Sequence, residues 1–135
     1  MATTAKSERL DIRSSDDVVR VRQITRTLAI EAGLGLVDQT KIITAASELA
    51  RNVIDYGGGG QVLLDVLENA GRRGLRLCFE DKGPGIPDIE AALKDGFTTG
   101  KGMGLGLGGA KRLSNEFAVV SKPGEGTKVT IARWK

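Results

Sequence analysis

The stretch Glu48-Leu49-Ala50-Arg51-Asn52 decides how this chain is read. It sits inside a run in which Ile42, Ala46, Leu49, Ala50 and Val53 recur at helical spacing. That run predicts a helix from Asp38, which can cap it, to about Tyr56, where Gly57 to Gly60 end it. Residues four apart lie about 40° apart around a helix. Glu48 and Asn52 therefore share a face, and that face points away from the apolar stripe. One side of the helix packs on a sheet while the other offers an acid and an amide. Magnesium takes hard oxygen ligands, few of them from protein, with phosphates and water completing its octahedron, and the Asn52 amide oxygen suits that role. Glu48 accepts hydrogen bonds only when ionised and can take a proton from an attacking hydroxyl. A plain solvated polar face is the competing reading of the same pair.

Two motifs downstream change the balance. Asp81 follows an apolar strand and precedes Gly83-Pro84-Gly85. The strand end fixes the carboxylate, and the glycines let a ligand approach the backbone. Such a carboxylate can accept the N6 hydrogens of adenine; an ordinary turn is the alternative. Gly102, Gly104 and Gly106 then run into a helix, where backbone N–H groups and the positive dipole end favour phosphate. Gly104-Leu105-Gly106-Leu107-Gly108-Gly109 matches the dinucleotide fingerprint, but no strand precedes it. The segment from Gly96 to Lys101 has three residues between its glycines where a P-loop has four, and Gly102 stands where Ser or Thr belongs. Read together, the three motifs describe an ATP site that is not of the P-loop type. Asn52 is its metal ligand, Glu48 its candidate base, Asp81 its base reader and Gly102 to Leu107 its phosphate cradle.

Around these motifs the chain reads as β-α-α-β-β-α-β-β. Arg9 to Arg13 is a short strand, and Ser14-Ser15-Asp16-Asp17 opens a helix as a capping box. Val18, Val21, Ile24, Leu28 and Ala32 form its buried stripe, and Gly33 stops it. Val62, Leu64 and Val66 alternate as a strand, Asn69 to Gly74 turns, and Leu75, Leu77 and Phe79 alternate as the next. A short helical piece spans Asp88 to Leu93, Asp95 to Met103 is a Gly- and Thr-rich mobile segment, and a third helix spans Leu105 to Asn115. Phe117 to Ser121 and Lys128 to Arg133 are closing strands joined by Lys122-Pro123-Gly124-Glu125-Gly126. This order predicts an α+β fold: a mixed, mainly antiparallel sheet with helices on one face.

Composition excludes other chemistries. The chain has 135 residues, which predicts a single domain over 1–135. It has no histidine, so Ser-His-Asp and Cys-His catalysis are out, as is a phosphohistidine intermediate. One cysteine and no histidine cannot make the common zinc sites. Cys78 reads as a small core residue, with a reactive thiol as the alternative. Twenty basic and 17 acidic residues are interspersed, without the dense basic block of a nucleic-acid binder. No apolar run is long enough to span a membrane, and no signal-peptide pattern opens the chain, so a cytoplasmic protein is expected.

The three-part order resembles the GHKL ATPase and kinase superfamily of gyrase, the heat-shock chaperone ATPase, sensor histidine kinases and MutL. Glu48 to Asn52 resembles its N box, Asp81-x-Gly83-x-Gly85 its first glycine box, and Gly102-x-Gly104-Leu105-Gly106-Leu107 its second. Gly124-Glu125-Gly126-Thr127 resembles the segment whose threonine helps hold the adenine side. The resemblance implies the Bergerat sandwich, ATP with Mg²⁺, and a lid over roughly Asp95 to Met103. Lys101, in that lid, touches the γ-phosphate or is simply solvated; Arg51 touches phosphate or pairs with Glu48. The chain is too short for the second domain of gyrase, MutL or the chaperone, and it has no histidine for a self-phosphorylating sensor kinase. What remains are the small bacterial serine/threonine kinases of partner-switching pathways, and Ser47 to Asn52, Glu80 to Asp88 and Asp95 to Thr99 resemble the switch kinases of the stressosome. That implies STAS-domain substrates of the RsbS and RsbR types, a PP2C-type phosphatase activated by the released kinase, and leaves a homodimer open. The sister anti-sigma factor kinases, which bind a sigma factor and phosphorylate an anti-anti-sigma factor, are the alternative. On the first helix, Val19, Gln23, Arg26 and Ile30 fall opposite the buried stripe and can form a docking patch.

Overall fold

The computed structural model describes residues 2–86 and 107–135, with Ile89 and Leu93 between them. Strand β1 (Thr3–Ile12) leads into helix α1 (Ser15–Glu31), helix α2 (Leu36–Asp55), the hairpin β2 (Gly60–Asn69) and β3 (Arg72–Asp81), helix α3 (Leu107–Arg112), and the hairpin β4 (Glu116–Lys122) and β5 (Gly126–Trp134). The strands lie in the order β1-β2-β3-β5-β4, and every neighbouring pair is antiparallel. The expected mixed sheet is therefore purely antiparallel among the described residues. Both hairpins connect adjacent strands directly, so no crossover of the kind a parallel pair needs arises there.

Alternation builds the core. Val62, Leu64, Val66, Leu75, Leu77, Phe79, Val129 and Ile131 are buried in one cluster with Val21, Leu28, Ile42, Ala46 and Leu49 of the helices. Burying each large side chain contributes roughly 1.5–3 kcal/mol. That outweighs the few tenths of a kcal/mol each that β-branched Ile42, Ile43, Val53 and Ile54 cost α2 in helix propensity. Cys78, one step out of phase with Leu77 and Phe79, is half-buried and not in that core. The Thr130 hydroxyl lies 3.6 Å from its sulfur, across the β3–β5 pairing.

The helix ends follow local chemistry. Asp17 Oδ2 accepts the Ser14 N–H (3.2 Å) and the Arg13 N–H (2.9 Å), the reverse arm of the expected capping box. The Arg13 N–H leads in holding the Asp17 carboxyl below its ordinary pKa. At the far end Gly33 N–H donates to the Ile30 carbonyl and Leu34 N–H to Ala29, a Schellman stop where Gly33 was expected to end the helix. Ile24 is half-buried, and Thr25 takes the interior place beside Val21 and Leu28.

Three expectations are corrected. Strand β1 extends from Thr3, far upstream of Arg9, because β2 offers it a partner edge from Gly60 to Glu68. The turn after β2 is not Asn69 to Gly74 but the pair Ala70-Gly71, both at positive φ, with Asn69 facing Arg72. Asp38 does not cap α2, which begins two residues earlier behind Gly35. Its carboxylate instead pairs with Arg133 of β5, at 2.8 Å to Nη2 and 2.9 Å to Nε. The closing strands reach slightly beyond Phe117–Ser121 and Lys128–Arg133. The third helix is described from Leu107 and stops at Arg112, short of the expected Asn115, and of the piece at 88–93 the described residues show a Leu93 N–H to Ile89 carbonyl bond. The segment Asp95 to Met103 lies outside the described residues.

Candidate functional site

One cavity opens where the last turns of α2 meet the end of β3 and the start of β5. Leu49, Val53, Phe79, Leu107 and Val129 give it apolar walls, and Asn52, Asp81 and Thr127 give it polar groups. Tyr56, Gly85 and Ile86 complete the lining. An apolar slot with a few convergent polar groups is the usual form of a small-molecule site.

Each polar group is held by its element. Asn52 stands at the margin of the α2 stripe, beside Leu49 and Val53, and not, as its spacing predicts, on a face pointing away from that stripe. Burial of Ala45 widens the covered arc and brings that margin to the cavity. Asp81 is the last residue of β3 and faces Thr127 of β5 in register. The Gly83 N–H donates to Asp81 Oδ1 at 2.9 Å. Burial pushes the Asp81 carboxyl above its ordinary pKa, and the neighbouring Glu80 charge adds to that. Backbone N–H groups of Gly83 and Thr127 pull the other way.

Close approach explains the glycines beside this carboxylate. A Cβ on Gly57 would collide with the Asp81 side chain, and one on Gly83 would stand 2.7 Å from the Gly57 Cα. Chain leaving α2 and chain leaving β3 thus touch backbone to backbone, which locks Asp81 against the helix end. Gly85, at φ +81°, lies where a Cβ would strike the Lys122 carbonyl.

The expected site residues separate into groups. Asn52, Asp81, Gly85, Leu107 and Thr127 line the cavity together. Gly83 braces Asp81 from outside the lining. Glu48 lies one turn before Asn52, half-buried and outside the lining, and Arg51 is exposed. Among the ion pairs of the described residues, none joins Arg51 to Glu48. Lys101, Gly102, Gly104, Leu105 and Gly106 lie outside the described residues. Leu107, the first residue of α3, contributes a buried side chain to the wall.

Sequence reading missed Gly57, Tyr56 and Ser121. Four glycines in a row exceed what a helix stop needs, and Tyr56 continues the Leu49–Val53 stripe; both signals were present. The Ser121 hydroxyl accepts the Ile86 N–H at 2.7 Å, reaches the Gly126 carbonyl at 3.0 Å and lies 2.8 Å from Thr127 Oγ1. It ties the Gly83–Ile86 loop to the β4–β5 hairpin, a role visible only once those strands are paired.

Residues 37–135 match the family described as "Histidine kinase-, DNA gyrase B-, and HSP90-like ATPase". The chain is 48% identical over 118 residues to the serine/threonine-protein kinase RsbT of Bacillus subtilis, covering 87% of this chain and 89% of that one. It is 29% identical over 118 residues to an anti-sigma F factor of Thermoanaerobacter, covering 84% and 82%. Among solved structures, the RsbU and RsbW domains of Rv1364c from Mycobacterium tuberculosis superpose with a TM-score of 0.63 at 22% identity, over 95% of this chain and 33% of that one. The catalytic domain of the histidine kinase ThkA superposes with a TM-score of 0.56 at 15% identity, over 93% and 95%. The chain belongs to the histidine kinase-, DNA gyrase B- and HSP90-like ATPase family, and within it to the serine/threonine-protein kinases of which RsbT is one.

Proposed function

We propose that this protein transfers the γ-phosphoryl group of ATP to a serine or threonine of a STAS-domain partner in a cytoplasmic partner-switching pathway. The observation that carries this is the meeting of Asn52, Asp81 and Thr127 in one apolar cavity, in a chain 48% identical to a serine/threonine kinase. Asp81 accepts the adenine N6 hydrogens, and Leu49, Phe79 and Val129 take the ring faces. Among the described residues no cluster of three acidic or sulfur side chains could cage a metal ion. A single amide oxygen from Asn52, with phosphates and water, is instead the ligand set Mg²⁺ accepts, and bound Mg²⁺ supplies charge neutralisation on the phosphates.

In this scheme the partner's hydroxyl oxygen forms the new bond to the γ-phosphorus as the bond to the β–γ bridging oxygen breaks. Glu48 takes the hydroxyl proton, and ADP carries away the bond's electron pair. Backbone amides of Gly102 to Leu107 receive the developing negative charge, with Lys101 and Arg51 as further cations. The protein's part is largely positioning and charge stabilisation.

A second output has its own observation. Val19 is 52% and Ile30 57% exposed on α1, with Gln23 and Arg26 exposed between them. This face suits a partner that the released kinase activates by contact, of which a PP2C-type phosphatase is the proposed example. Binding a sigma factor is the competing use, favoured by the anti-sigma F relatives at 29% identity. Incubation with γ-labelled ATP, alone and with a STAS-domain partner, tests the main reading. Label on a partner serine or threonine is expected; free phosphate released without a partner would instead mark a hydrolase.

A further inference from the structure

Ser121 is not among the cavity-lining residues, yet its hydroxyl decides what Thr127 can offer there. The two residues face each other across the β4–β5 hairpin. A serine hydroxyl has one proton and two lone pairs. The proton goes to the Gly126 carbonyl at 3.0 Å, and one lone pair takes the Ile86 N–H at 2.7 Å. The remaining contact, 2.8 Å from Thr127 Oγ1, then has Ser121 as acceptor and Thr127 as donor. With its proton spent, Thr127 Oγ1 turns only lone pairs toward the cavity. Asp81, its register partner on β3, is also acceptor-only when ionised.

We propose that Ser121 is a positioning residue that sets the hydrogen-bond polarity of the base pocket: by taking the Thr127 proton it leaves Thr127, beside Asp81, facing position 6 of the base with lone pairs only, so that a 6-amino group is accepted and a 6-oxo group is opposed. The proposal rests on the nucleotide reading above and adds to it a specificity determinant that never touches the base. Removing the Ser121 hydroxyl frees the Thr127 proton to turn inward and donate to a 6-oxo group. It also strips the Ile86 N–H of its acceptor, so overall affinity falls for any base, and the ratio between bases is the informative quantity.

The test is competition binding of ATP and ITP, which differ only at position 6 and its ring proton, to wild type, Ser121→Ala and Ser121→Thr. Wild type is expected to prefer ATP by about tenfold or more, the cost of facing an acceptor with acceptors in a desolvated wall. Ser121→Ala should narrow that preference by about fivefold or more, and Ser121→Thr, which keeps the hydroxyl, should restore it. If Ser121→Ala weakens both nucleotides while the ratio holds, Ser121 merely braces the loop and the proposal is overturned. A wild type indifferent to ATP and ITP would instead sink the underlying assignment of Asp81. Should Ser121→Ala fail to fold, Ser121→Cys, whose thiol is a poor donor and acceptor, is measured against the same expected ratio.

Discussion

Asp81 carries the most at the scale of single residues. Its carboxyl is raised above its ordinary pKa, chiefly by burial. The sign follows from linkage: between the unfolded and folded pKa values the folded state binds the extra proton. Ionised Asp81 therefore costs the empty protein stability above its folded pKa, and that cost vanishes below the unfolded value. Asp81→Asn should leave the empty protein at least as stable as wild type at neutral pH, with the difference shrinking on acidification. Thermal melts across pH check this, and a mutant less stable at neutral pH than in acid, relative to wild type, contradicts it. The same substitution should weaken ATP and narrow its advantage over GTP, which wild type should disfavour by roughly tenfold to a hundredfold. An amide can turn its NH₂ toward O6 where a carboxylate cannot.

Gly57 is the neighbouring test. Its missing side chain is the space Asp81 occupies. Gly57→Ala should cost about 1–3 kcal/mol of stability as an overpacked contact and reduce ATP affinity by displacing the carboxylate. Melting and titration together measure both, and a variant with wild-type affinity would show that Asp81 does not need this brace. That Asp81 follows a strand and precedes glycines was readable from residue types alone. Its dependence on Gly57 was not, because that contact joins chain 24 positions apart (81 − 57) through a fold the local pattern does not contain.

Among the elements, periodicity was a good guide to existence and a poor one to ends. The buried alternation of β2 and β3 and the stripe of α2 were legible because burial enforces a period. Strand β1 was underestimated because as an edge strand most of it faces water, with Thr3 to Ser7 exposed and no alternation to read. Asp38 looked like a cap because cap residues and ion-pair residues share a chemistry. Only the position of Arg133, 95 residues away, shows which role it has. Arg133 is 14% exposed and also donates to the Leu113 carbonyl. Asp38→Ala should therefore leave a largely buried guanidinium short of a partner and cost about 1–3 kcal/mol, where loss of a mere solvated charge would cost little. Denaturant unfolding of that variant, with Arg133→Met as the paired substitution, measures it; an unchanged midpoint would mean that the pair joins α2 to β5 without holding them.

At the scale of the molecule, among the described residues one antiparallel sheet backs two long helices, and the cavity lies where α2, β3 and β5 converge. Motif order pointed to that convergence: Asn52, Asp81 and Thr127, expected from the sequence to share one site, line the same cavity. The proposed split of roles along α2 remains the part of the site that position alone supports. Asn52 lines the cavity while Glu48 stands one turn away, which fits ligand binding for the first and proton transfer for the second. Calorimetric titration with ATP, with and without Mg²⁺, on wild type, Asn52→Ala and Glu48→Ala is the most direct test, each sample also being assayed for transfer to a STAS-domain partner. The account predicts that Asn52→Ala loses most Mg²⁺-dependent ATP binding, while Glu48→Ala binds ATP nearly as wild type does and transfers little. Equal loss of binding in both variants, or full transfer by Glu48→Ala, would contradict it.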